Sequence, residues 1–169
     1  MRTAAGVLRG CREAGLAVFR GIPFAEPPVG PLRFAAPRPV RPWNEVRPAV
    51  AYGPPPPQSG VLGASQRSTG DDWLTVNVWT PQPDPAARLP VMVWIPGGGH
   101  AMGHAGLPEY DAGHLAASGT VVVTLNDRLG AEDFAWIDGP RPTGDCSTRS
   151  RPCGGYRAPS GRSAATPGG

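Results

Sequence analysis

An α/β fold is what this sequence predicts, and three observations carry the prediction. Val91–Ile95 and Thr120–Leu125 are unbroken apolar runs of strand length, which reads as burial on both faces. Between them stands a run of three glycines, Gly97–Gly99. After the glycines comes a short helix candidate, Tyr110–Ser118, that stops at Gly119. Strand, glycine loop, helix, strand is the order in which a sheet grows with its connections laid over its faces.

The segments before Val91 fit the same sheet. Gly6–Arg9 and Leu16–Phe19 are short apolar runs separated by residues 10–15, and they predict a hairpin. Prolines at 23, 27, 28 and 31 then forbid a helix over Arg20–Phe34 and most ladder pairing, so this segment must be extended or turn-rich and fixed by packing. Pro37, Pro39, Pro42 and Pro54–Pro57 continue that character, with Trp43 and Tyr52 as anchors and the last four prolines as a spacer. Trp73–Thr80 alternates, with Leu74, Val76 and Val78 on one face and Trp73, Thr75, Asn77 and Trp79 on the other.

Composition narrows the chemistry. All 16 basic residues are Arg, which excludes a Lys nucleophile, a Lys Schiff base and a Walker-type phosphate loop, and suits a GC-rich genome. Gly 24 and Pro 23 together exceed a quarter of the 169 residues, a level at which low-complexity segments are expected. The charge is uneven: residues 1–139 hold 11 Arg and 12 acids, whereas residues 140–169 hold 5 Arg and one acid, Asp145. Every Leu, Ile, Val, Met, Phe and Trp lies at or before Ile137, so only residues 1–139 can build a core and 140–169 is expected to be a disordered basic tail. No apolar run is long enough to span a bilayer and no signal-peptide pattern opens the chain, so a cytoplasmic location is expected. Cys11, Cys146 and Cys153 show no metal or disulfide-framework spacing, and His100, His104 and His114 fit no common zinc pattern, so no metal site is expected.

Bare glycines at a strand tip let backbone N–H groups approach an anion without obstruction by Cβ. Phosphate cradles and oxyanion holes both use this. The phosphate alternative needs a GxGxxG or a Lys-Ser/Thr pair opening a helix, and neither follows Gly97–Gly99.

Four blocks, in order, give this region a resemblance: FRGIPFAEPPVGPLRF (19–34), DDWLTVNVWTP (71–81), PVMVWIPGGGHAMG (90–103) and VVVTLNDRLG (121–130). Over residues 6–138 the sequence resembles the N-terminal third of the type-B carboxylesterases, of the carboxylesterase/lipase/cholinesterase group. The resemblance implies an incomplete α/β-hydrolase fold, with N-terminal antiparallel strands plus the start of the central mixed sheet. It also implies hydrolysis of small carboxylic esters by a Ser nucleophile, an acid and a His base, without a cofactor. Gly98 and Gly99 would supply oxyanion N–H donors and Gly97 the turn of the loop. Arg33 and Asp71 stand where the family pairs an Arg with an acid, a clamp of the N-terminal segment onto the sheet; two solvated surface charges are the alternative.

Several positions depart from the family pattern. Trp73 replaces a Cys, so the usual early disulfide cannot form; Pro96 replaces a His or Tyr, and His100 an aromatic residue. Asp127 replaces a Tyr and Asp133 a Gly, and both changes are expected to cost stability by placing charge at packed positions. The nucleophile, acid and base have no counterpart here, since Ser160 and Ser163 follow no buried strand. A fragment carrying the oxyanion loop, inactive alone, is therefore expected.

The tail invites a further reading. Written in GC-rich codons, DCSTRSRPCGGY (145–156) read one base earlier can encode an apolar, helix-period segment, and 163–169 can encode the family's FGGDP loop. A slipped reading frame near Gly139 explains the composition break. The alternatives are a non-catalytic binding module whose basic arm meets nucleic acid or anionic surfaces, or half of a split esterase completed by another polypeptide. Neither nucleic-acid nor membrane binding is expected from so few arginines and one aromatic residue, Tyr156.

Overall fold

The structure, a computed structural model, describes residues 1–58 and 68–135. The tail at 140–169, with its slipped-frame and basic-arm readings, lies outside the described residues, as does the boundary at 139. Five strands form a mixed sheet in the order β2–β3–β5–β7–β6. They are β2 (Cys11–Glu13), β3 (Leu16–Pro23), β5 (Thr75–Thr80), β6 (Val91–Trp94) and β7 (Val121–Leu125). Neighbours are antiparallel except β6 and β7, which run parallel, with Val93 opposite Val123. A second, two-stranded sheet pairs β1 (Val7–Arg9) in parallel with β4 (Val46–Pro48).

Alternation in β3 sorts its side chains to two cores. Leu16 and Val18 pack with Trp79 and Val122 under α1 (Gly113–Ala117), through Ala112 and Ala116. Ala17 and Phe19 face the other way, to Leu8, Ala49, Val76 and Leu125. Ile22 lies in that second core too, although three residues after Phe19 it should have changed sides. A bulge explains this. The β3–β5 register shifts between Phe19 and Ile22, and Gly21 there takes φ 64°, where an added Cβ would come within 2.5 Å of the Ala51 carbonyl oxygen. The Gly21 N–H, lost to the ladder, donates to Asn77 Oδ1 at 2.9 Å.

The proline-rich segment is fixed by its anchors. The Trp43 indole lies against Gly6 and donates Nε1–H to the Val7 carbonyl at 3.1 Å. Tyr52 takes the Arg20 guanidinium over its ring at 5.0 Å. Arg20 itself is nearly buried and forms a two-pronged pair with Glu13, both contacts 2.6 Å.

Three expectations need correction. The hairpin exists, but its first strand is Cys11–Glu13, because Ala14 and Gly15 (φ 47° and 83°) make a two-residue turn and release Val7–Arg9 to β4. The helix is shorter than 110–118: Pro108–Tyr110 is a 3₁₀ turn and α1 begins only at Gly113. β6 is not covered on both faces. It is the sheet edge, and Val91 to Ile95 are each 38–49% exposed.

Candidate active site

The strand β6 ends at Trp94, and Pro96 then leads the chain off the sheet edge into the glycine loop. Left-handed φ values fall at Gly98 (137°), Gly99 (61°) and His100 (60°), so the turn assigned to Gly97 is made by the residues after it. At Gly98 only glycine fits: an added Cβ would collide with the Met102 carbonyl. That carbonyl is brought close because the Ala101 and Met102 N–H groups both donate to the Gly98 carbonyl, at 3.1 and 3.2 Å. Among the described hydrogen bonds, none uses the Gly98 or Gly99 N–H as donor. The loop therefore closes on its own carbonyls and leaves two consecutive donors uncommitted.

Three amides hold this loop in place, and sequence reading had assigned a site role to none of them. Gln58 brackets Gly103, accepting its N–H at Oε1 (2.9 Å) and donating Nε2–H to its carbonyl (3.3 Å). Asn77 and Asn126 grip Ala105 from both sides. Asn77 Nδ2 donates to the Ala105 carbonyl at 3.4 Å and to Thr124 Oγ1 at 2.9 Å. Asn126 Oδ1 accepts the Ala105 N–H at 2.7 Å, while its Nδ2 donates to Trp73 and Pro54 carbonyls at 3.0 and 3.2 Å. For the two asparagines the available signal was a buried amide within or just after an apolar strand, which must find partners; Gln58, after the proline run, carried none. His104 follows the same logic: its Nδ1 accepts the Gly106 N–H at 3.1 Å, and burial pushes its pKa down, opposed by Glu109.

The second half of the site is the turn after β7. The chain runs through Asn126, Asp127 and Arg128 to the short helix α2 (Ala131–Phe134). Gly130 N–H donates to the His100 carbonyl at 2.6 Å, which ties this turn to the glycine loop. His100 also stacks edge-on against Phe134 at 4.9 Å. Arg128 is buried, donates Nη1–H to the Ala35 carbonyl at 2.6 Å, and has its pKa lowered by that burial, against the raising effect of Glu132 and Asp133. Arg33 reaches this turn as well. Its Nε pairs with Glu132 Oε1 at 2.8 Å, so the clamp expected with Asp71 is made with Glu132 instead; the neighbouring Asp72 is taken by Arg47 at 2.8 Å. Glu132 has the advantage of lying in the first turn of α2.

A cavity of about 10 Å³, the room of one water, lies beside the loop between Pro96, Gly97, His100, Met102, Gly103, Asp127 and Leu129. The larger hollow, about 450 Å³, shares no residue with it and is bounded by Leu8, Cys11, Phe19 and Val46 among others. Among the described residues no helix is long and apolar enough to cross a membrane.

Comparison with known proteins places this arrangement. The family model described as the carboxylesterase family matches residues 1–141. Phenmedipham hydrolase of Pseudarthrobacter oxydans is 49% identical over 140 residues, which cover 78% of this chain and 28% of that protein. Para-nitrobenzyl esterase of Bacillus subtilis (strain 168) is 46% identical over 137 residues, with the same coverage on both sides. A solved PNB esterase structure superposes with a TM-score of 0.79 at 36% identity, over 90% of this chain and 33% of that one. The chain thus spans about a third or less of the length of the relatives it matches. Over that span it belongs to the carboxylesterase family, as an N-terminal portion of the type-B α/β-hydrolase fold.

Proposed function

We propose that this chain carries the oxyanion-hole part of a carboxylic-ester hydrolase, with Gly98 and Gly99 as the backbone donors. The observation that supports this most directly is the pair of uncommitted N–H groups at the strand tip, in a loop whose conformation only glycine allows at position 98. Donors fixed before reaction cost nothing to reorganise when a tetrahedral intermediate develops its negative charge. The serine nucleophile, its acid and its His base are supplied from outside this chain: no Gly-x-Ser-x-Gly occurs in the 169 residues. Alone, the chain is therefore silent as an esterase.

The bare apolar strand β6 favours completion of the sheet by further polypeptide, as in the split-esterase reading. We read residues 140–169 as the product of a slipped frame, so DNA beyond them should encode the missing elbow in another frame. Unrelated sequence there would end that reading.

The functional test has two arms. Purified chain should hydrolyse p-nitrophenyl acetate no faster than an albumin control. Grafted in place of the matching segment of the Bacillus subtilis esterase, residues 1–135 should support turnover, and Gly98→Ala in that chimera should lower kcat by about 10²-fold or more, the usual scale for a lost or displaced donor. An active chimera indifferent to Gly98→Ala would refute the assignment.

A further inference from the structure

We propose that His100, Asp127 and Asp133 form a binding site for a divalent transition-metal ion of the zinc type, at the junction of the glycine loop and the β7–α2 turn. The three come from different pieces of chain: the end of the glycine loop, the exit of β7 and the helix α2. Each offers one ligand atom, and these atoms all lie within 4.8 Å of one another. Donors at about 2.1 Å from a tetrahedral ion sit about 3.4 Å apart, so binding requires them to close by roughly an ångström. Exposed His100 can supply that movement by side-chain rotation, while its backbone is held by the Gly130 N–H.

The chemistry of the set points to a cation. Asp127 and Asp133 are 5% and 1% exposed, so each brings a carboxylate oxygen to the site from a largely dry surrounding. One imidazole nitrogen with two carboxylate oxygens suits zinc and its neighbours better than magnesium or calcium, which favour all-oxygen shells. The water-sized cavity bordered by His100 and Asp127 leaves room for a fourth, solvent ligand.

The three residues meet at one point, and each brings a metal-ligating group. Spacing along the chain hides this, which is why the histidines alone show no zinc pattern. A bound ion would pin the glycine loop to the turn that already holds it through Gly130 and His100.

Zinc chloride titrated calorimetrically into the full, untagged chain, stripped with chelator and with its cysteines alkylated, tests the site. One ion per chain is expected, with binding weakened about tenfold or more in His100→Ala and in Asp133→Asn, and unchanged in His104→Gln and His114→Gln. Because Asp133 is buried and its variant could unfold, the exposed His100 carries the decisive comparison. Cobalt substitution adds a second readout: visible ligand-field absorption in the parent chain that is lost in His100→Ala. Absence of zinc binding, or binding that His100→Ala leaves intact, would overturn the proposal.

Discussion

Removing the Asn126 side chain tests whether the amide clamps, rather than the apolar strands alone, hold the candidate site together. In Asn126→Ala three hydrogen bonds vanish at once, those to the Ala105 N–H and to the Trp73 and Pro54 carbonyls. A net bond is worth about 1 kcal/mol, which gives about 3 kcal/mol for the set. The environment matters as much as the count. Asn126 and Ala105 are 3% and 1% exposed, so water cannot easily replace the lost acceptor and the orphaned N–H carries its desolvation cost. The carbonyls suffer less, since an oxygen with two lone pairs tolerates one empty site. A loss of about 2–4 kcal/mol follows, large against the 5–15 kcal/mol typical of a whole domain. Urea unfolding followed by tryptophan fluorescence reads it, because Trp73 and Trp79 are both buried and the Trp73 carbonyl is one of the partners of Asn126. With a slope near 2 kcal/mol/M, the midpoint should fall by about 1–2 M. A midpoint within about 0.3 M of the parent would refute the claim that Asn126 organises this region.

Two further outcomes follow from the edge strand and from the Arg20 pair. Val93→Lys places a charge in the centre of exposed β6, and should raise the fraction of monomer in light scattering at high concentration; equal association in both proteins would count against β6 as the sticky surface. Glu13 has its pKa lowered from 4.5 to about 2, first by the hydrogen bond from Arg20 and then by that from Cys11. A depressed carboxyl stabilises the folded state above its unfolded pKa and loses that contribution as pH falls from about 4.5 towards 2. Thermal melts of Glu13→Gln should therefore approach the parent as pH drops through that window, with the gap kept small by the half-exposed Glu13 side chain; a gap that widens instead would reverse the assignment.

Much of the architecture was legible because strand periodicity is local. The alternation in Trp73–Thr80 places Val76 and Trp79 in opposite cores as expected. Four motif blocks in order also fixed the family, and Gly97–Gly99 marked the place where the loop leaves the sheet. Continuous apolar runs misled where they met the edge: Val91–Ile95 has the composition of a strand buried on both faces, yet composition does not say which neighbours are present.

What the sequence determined by itself is thus the longer strands of the sheet and the glycine turn, both products of steric and hydrophobic preferences acting over a few residues. Only the tertiary structure decided which partners meet across long separations: Arg33 with Glu132, Asn77 and Asn126 on the two sides of Ala105, and His100 with Asp127 and Asp133. Those choices depend on where the chain returns after a bulge, a crossover and a turn, and no local periodicity carries that information.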